Sequence, residues 1–346
     1  MIKPSWTGTK QKRSSTLKEI ALEAGVTPMT VSNVLNQRES EVSEKTRERV
    51  QAVIDRHRYR PQAAALQLRS QHTHALGMFI LDDVPQFLND PFTTQVVAGL
   101  SNIASEKHYS VVLQGVRSDT LLEAPLLARL QTDGVCAILS GSDAARQAVT
   151  ERLLSLNVPV VLIQEAVSNP GVCCVRQDDY DGACQIARYL VERGVRDMMF
   201  LKPGEDWPAI AHRYNGLKSV CDAVGARLRV VRCGDESLVS TQNAVAAAIE
   251  ADDMPAAIVG GNDRMAMAAM EYLRQRGLRV PEDIRVTGFN SFDVSAFANP
   301  SLVTIRSDAY ELGRRAGQEL LTKIETGAFT AEDIVLPVDF VAGNSA

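Results

Sequence analysis

Apolar residues recur at helical spacing over the first sixty positions and then gather into short strand-like runs separated by amphipathic stretches. Thr16-Leu17-Lys18-Glu19 reads as a capping box, with Thr16 accepting from the amide three residues on and Glu19 reaching back. The first helix then runs to about Ala24, with Leu17, Ile20 and Ala21 on one face. Gly25 supplies a sharp turn and Val26 packs inward. Thr27 is a second N-cap, followed by Pro28 at the first helical position, where a missing N–H costs nothing. The second helix, Pro28 to about Leu35, buries Val31, Val34 and Leu35 and leaves Pro28, Met29, Thr30, Ser32 and Asn33 facing outward. Ser43 caps a third helix through about His57, with Val50, Val53 and Ile54 inward. Two short helices joined by a glycine turn, the second polar on its outer face, describe a helix-turn-helix, whose second helix lies in the major groove. An ordinary three-helix bundle shares the apolar pattern. The small polar outer residues and the charge described below favour DNA.

From about His74 the period changes. Ala75–Leu81, Ser110–Gln114, Gly134–Leu139 and Pro159–Ile163 are apolar strands with helices between them (Thr93–Lys107, Leu121–Leu130). A second series runs through Met198–Leu201, Leu228–Val231, Ala256–Val259 and Arg285–Phe289. Apolar strands interleaved with helices imply parallel sheets covered on both faces, here two doubly wound lobes. Ligands in such folds sit beyond the carboxyl ends of the strands. Phe92, Asp143, Trp207, Arg213, Asn262, Asp263 and Asn290 all fall at such ends. An aromatic, an arginine and several Asn/Asp side chains suit a polyhydroxylated ligand. Other readings stand beside this one: Arg213 as a structural ion pair, Asn262 or Asp263 as a helix cap, Phe92 as core.

The net charge of −5 hides an asymmetry: residues 1–75 carry thirteen basic and seven acidic side chains, so the remainder bears −11. A basic head on an acidic body places the polyanion contact in the head. The six cysteines have no C-x-x-C spacing and no histidine partner, so reduced thiols are expected, with neither metal nor cofactor. No stretch is long and apolar enough to span a bilayer, and no signal sequence opens the chain. A cytoplasmic, nucleoid-associated protein is expected. No phosphate-cradling glycine loop, nucleophile elbow or paired catalytic carboxylates appear, so no enzyme is expected.

The run from Thr16 to Asn36, then Val42-Ser-Glu-Lys-Thr-Arg47 and Tyr59-Arg-Pro61, resembles the LacI/GalR family of bacterial repressors. The body is similar too: Arg213-Tyr-Asn-Gly216, Asn262-Asp-Arg-Met-Ala266, Val286-Thr-Gly-Phe-Asn290 and Pro300-Ser-Leu-Val-Thr-Ile305 follow the family's pattern. The resemblance implies that Pro28, Met29 and Asn33 read bases, with Thr30 and Ser32 nearer the phosphates. Thr16, Thr27, Asn36 and Tyr59 complete the head's contacts. It also implies that Gln62–Ser70 forms a hinge helix on DNA, with Leu68 as a minor-groove wedge and Arg69 on a phosphate. A linker leucine packed on the body is the other reading of Leu68. Asn33 stands where many relatives have Arg, Asn290 where many have Asp, and Ser307 where Gln is common.

The expected organisation is α/β: an all-α head plus two doubly wound, periplasmic-binding-protein-like lobes. Residues 1–15 form a basic disordered arm, 16–60 the head, 61–73 the hinge and 74–346 the body. Lobe one is expected over about 74–174 and 307–327, lobe two over 175–306 and 328–346. The resemblance implies a homodimer on a pseudo-palindromic double-stranded operator, gated by a sugar or sugar acid between the lobes.

Overall fold

The computed structural model describes residues 15–35, 41–59, 72–83, 87–123, 132–167, 169, 171–204, 207–251 and 254–346. The chain divides into two compact units, Met1–Thr73 and His74–Ala346. Residues 1–14 of the expected arm, Asn36, and residues 61–71 of the expected hinge with Leu68 and Arg69 lie outside the described residues.

In the first unit, α1 (Leu17–Ala24) opens with the capping box complete: the Thr16 hydroxyl accepts from the Glu19 amide at 3.3 Å, and the Glu19 carboxylate accepts from the Thr16 amide at 2.7 Å. Gly25 ends the helix at φ 62, a left-handed conformation that suits glycine. The Thr27 hydroxyl accepts from the Thr30 amide at 3.2 Å and starts α2 (Pro28–Leu35). Before α3 (Glu44–His57), Ser43 holds the N-cap position, but its hydroxyl pairs with that of Thr46 at 2.9 Å instead of capping the backbone. Ile20, Ala21, Ala24, Val31, Val34, Val42, Val50, Val53 and Ile54 close a small core of the head's own. Each large aliphatic side chain buried there contributes about 1.5–3 kcal/mol.

The second unit holds two parallel sheets. The first comprises β1 (Ala75–Leu81), β2 (Ser110–Val116), β3 (Gly134–Leu139), β4 (Val160–Ile163), β5 (Val172–Gln177) and β11 (Asp333–Leu336), in the order β11-β5-β4-β3-β1-β2. It is covered by α4 (Pro91–Glu106), α5 (Asp143–Leu154) and α10 (Ala309–Thr326). The second comprises β6 (Asp197–Lys202), β7 (Arg227–Arg232), β8 (Ala257–Gly260) and β9 (Arg285–Thr287), in the order β7-β6-β8-β9. Around it lie α6 (Asp179–Glu192), α7 (Pro208–Val224), α8 (Leu238–Ala251) and α9 (Asp263–Gln275). A small antiparallel pair, β10 (Thr304–Arg306) with β12 (Asp339–Val341), completes lobe two. In each sheet the strand order reverses next to the first strand, β1 or β6, which puts the crevice beyond the carboxyl ends of β1, β3, β6 and β8.

The expected lobe boundaries need correction. Val175–Gln177 belong to β5 and Asp333–Leu336 to β11, and the two pair in parallel inside lobe one's sheet. The apolar run Ile334–Val341 is therefore two strands in different lobes, broken at Pro337, which cannot donate to a ladder. The helix expected at Leu121–Leu130 begins as a 3-10 turn, Ser118–Glu123, and its remainder lies outside the described residues.

Close backbone approach holds lobe one's outer helices together. A Cβ on Gly99 of α4 would stand 2.0 Å from the Tyr310 carbonyl oxygen, and one on Gly313 of α10 would stand 2.0 Å from that of Val96. Only glycine fits at this crossing. Cys173 and Cys174 alternate across β5 into the cores on its two faces, and burial pushes the Cys173 thiol up to about 12. All six cysteines are buried and unpaired, which makes them packing residues rather than reactive thiols.

Candidate DNA-reading head and effector cleft

On the head, Pro28 and Met29 lie on the exposed side of α2, Met29 at 56% exposure, with Thr30 half-buried and Thr27 exposed beside them. Thr16 is exposed and Tyr59 half-buried. Ser32 and Asn33 depart from the expected outward placement, at 7% and 8% exposure. The reason for Asn33 is a partner that helical periodicity does not show: its side-chain amide donates to Glu41 at 2.6 Å. Behind this face, Glu23 of α1 accepts from Arg56 at 2.6 Å and lies 2.5 Å from the His57 ring, tying α1 to the end of α3.

In the body, Arg213 is the centre of the site. It sits on α7, 5% exposed, with its guanidinium 3.8 Å over the Phe289 ring. Its Nε donates to Asp179 at 2.7 Å, Nη1 to the Gly261 carbonyl at 2.5 Å, and Nη2 to Asn290 at 3.0 Å. Three of the five guanidinium N–H groups are thus held by protein, leaving donor capacity for a ligand. Asn290, at φ 99, also accepts from the Ser307 hydroxyl at 3.3 Å. Asp179 in turn accepts from Gln177 at 2.9 Å and from Gln164 of lobe one at 3.0 Å. Arg213 is therefore both an internal ion pair and the node joining α6, β8, β9 and, through Gln164, the other lobe.

The remaining expected residues separate. Asn262 caps α9, accepting from the Met265 amide at 3.0 Å, and donates its amide to Glu236. Asp263 does not face the cleft. It is fully buried, accepts from the Phe292 amide at 2.7 Å and the Thr304 hydroxyl at 2.6 Å, and pins the segment after β9 to α9. Burial raises its carboxyl to about 6. Phe92 is half-buried and packs on lobe one's core. The Asp143 side chain is 95% exposed and pairs with Arg146, a buried arginine that also donates to the Gly141 carbonyl at 2.5 Å and lies 2.7 Å from Glu165. Trp207 packs on lobe two's core at the start of α7, and its buried indole N–H has no partner among the described residues.

Glu236 and Asp179 were not among the expected site residues. Glu236 follows β7 in a left-handed conformation, φ 59; Gln164 has φ 60, Asn290 φ 99 and Ser291 φ 53. Non-glycine residues in this region cost free energy and gather at functional sites. These four stand at the carboxyl ends of β4, β7 and β9. Between the lobes, Gln164, Gln177, Asp179 and His212 border a cavity of about 10 Å3, the space of one water. The lobes therefore meet closely beside Arg213, and a larger ligand requires them to part there.

Burial raises the Glu236 carboxyl from 4.5 to about 7; Asp90 across the cleft adds to the rise, while Asn262, Arg264 and Arg213 oppose it. A native carboxyl that keeps its proton to higher pH than the unfolded chain contributes stability below pH 4.5 and loses it as pH rises through about 7. Glu236→Gln is therefore expected to melt like the native chain near pH 4.5. At pH 8 it should be more stable by about 1–3 kcal/mol. A gain of the same size at both pH values would contradict this.

Two family models match the chain: bacterial regulatory proteins of the lacI family over residues 16–62, and the periplasmic binding protein-like domain over 187–346. The HTH-type transcriptional repressor PurR of Vibrio atlanticus is 26% identical over 322 residues, covering 90% of this chain and 92% of its own. Among solved structures, the lac repressor dimer bound to operator and the anti-inducer ONPF aligns with TM-score 0.84 at 27% identity, covering 96% and 99% of the two chains. A complex of the transcriptional regulator CelR with cellobiose aligns with TM-score 0.69 at 25% identity, covering 96% and 100%. A helix-turn-helix head and a two-lobed body with a strand-end cleft occur here in the order these relatives share. The chain carries a DNA-binding domain of the lacI family and a periplasmic binding protein-like domain, and it is similar over nine-tenths of its length to transcriptional repressors.

Proposed function

We propose that the protein binds a pseudo-palindromic operator as a homodimer and changes its hold on that operator when a sugar-class effector enters the cleft between the lobes. The observation that carries this reading is the Arg213 node, which links β8, β9 and α6 to Gln164 of the facing lobe. A ligand inserted there acts only through its different affinity for the open and closed arrangements. Lobe one's movement relative to lobe two is the change available to the head.

The charge of the cleft favours a neutral polyol over a sugar acid. Arg213 is held by Asp179, and two further acids, Glu236 and Asp90, stand near each other at the cleft. A carboxylate ligand would meet those two acids, whereas hydroxyl donors would pair with them. The solved cellobiose complex of CelR is consistent with this class. A homodimer is supported by an exposed apolar patch on lobe two, with Phe297 at 87% and Val294 at 45% exposure, beside a groove of about 490 Å3 lined by Met267, Met270 and Pro300. The related lac repressor structure is a dimer on its operator.

A thermal-shift screen of neutral mono- and disaccharides against their aldonic acids tests the effector class. At a hundredfold excess over Kd the true effector adds about 2.7 kcal/mol. For a body of this size that is a rise of roughly 5–10 °C. Stabilisation by aldonic acids alone would remove the neutral-sugar reading.

A further inference from the structure

Asn33 lies four residues after Met29 and so on the same stripe of α2, the stripe that carries the exposed Met29. An asparagine amide has two ends, a double donor and an acceptor, and in a flexible side chain either can be turned toward a base. Here one end is taken. Glu41, in the connection to α3, stands 2.6 Å from Nδ2. An ionised carboxylate only accepts hydrogen bonds, so the nitrogen must face Glu41 and the oxygen must face away. Oδ1 has no hydrogen-bond partner among the described residues.

In the major groove adenine and cytosine present an exocyclic amino group, while guanine and thymine present the O6 and O4 acceptors at the corresponding edge. A fixed Oδ1 accepts from the first two and meets a lone pair on the others. We infer that Glu41 is a specificity-determining residue of the DNA interface: by holding the Asn33 nitrogen it leaves only Oδ1 to meet a base, and so makes α2 select adenine or cytosine at the position Asn33 faces. Glu41 has a second consequence. A carboxylate beside the reading helix opposes the phosphates of every sequence alike, so it lowers overall affinity while raising discrimination. The inference rests on the reading that α2 enters the major groove.

The test is selection of randomised duplex DNA by the full-length chain and by Glu41→Gln and Asn33→Ala, each at two salt concentrations. The native chain should enrich one position per half-site in A or C on the contacted strand, by about 5- to 100-fold over G or T. Asn33→Ala should lose that preference and keep the others. Glu41→Gln is isosteric, and its amide can donate as well as accept, so it frees Asn33 to turn over. The same position should then drift toward parity while total binding rises at low salt. A Glu41→Gln selection identical to the native one would reduce Glu41 to a brace of the head fold and overturn the inference. So would a native preference for G or T at the position that Asn33→Ala erases. If the native chain enriched no sequence, the operator reading would fall, and this inference with it.

Discussion

Replacing Arg213 with methionine should abolish the effector response while DNA binding in the absence of effector survives. Removing one partner of a buried, hydrogen-bonded charge pair costs about 2–5 kcal/mol in the bound state, which corresponds to at least a thirtyfold loss of effector affinity. Three protein groups lose a donor at once: Asp179, the Gly261 carbonyl and Asn290. Asp179, 3% exposed, is left charged and unpaired except for its two glutamines. The body itself should therefore be destabilised, by about 3–5 kcal/mol. Two readouts separate these effects. Arg213→Lys keeps the charge opposite Asp179 but cannot reach three partners with a planar fork. It should recover much of the melting temperature and little of the effector response. A gel-shift titration in which Arg213→Met responds to effector like the native chain would show that the ligand site lies elsewhere.

Sequence periodicity was informative wherever a short-range rule governs the residue. The capping box at Thr16, the glycine at 25 and the Thr27–Pro28 start are local chemistry, and all three stand as expected. The strands Ala75–Leu81 and Gly134–Leu139 are apolar throughout and flanked by turns, and their bounds match. What was not legible depends on residues far apart in the chain. Val172–Gln177 is a buried strand that the apolar pattern did not single out, and missing β5 shifted the lobe boundary. It also hid Asp179, which opens the helix immediately after that strand. Asn33 was placed outward by helical angle alone, because nothing in α2 announces Glu41 eight residues later. Asp263 was drawn into the cleft by its strand-end position, whereas the Thr304 hydroxyl and the Phe292 amide claim its oxygens from the other side. Glu236, by contrast, follows a strand whose end was already visible. The same strand-end rule that singled out Asn262 reaches it too.

A chain beginning at His74 should keep the effector response in a thermal-shift assay and lose DNA binding altogether. The physical ground is that each unit closes its own core. The head buries Ile20, Val31, Val50, Val53 and Ile54 among themselves, and the body's sheets bury β1 and β6 under their own helices. Cutting at Thr73 precedes β1, so no strand of either sheet is removed. The Arg213 node draws every partner from beyond residue 163, so its geometry does not depend on the head. The charge then reverses what the whole chain does near a polyanion. All thirteen basic and seven acidic side chains of residues 1–75 lie before His74, so the remaining body carries −11 and repels duplex DNA. Specific binding exceeds non-specific binding by about 4–10 kcal/mol in such regulators, and here even the non-specific component should vanish. Residual binding by the His74 chain at low salt would mean that the body contributes a DNA surface of its own. Loss of the effector shift would mean that the cleft needs the head to hold its lobes in register.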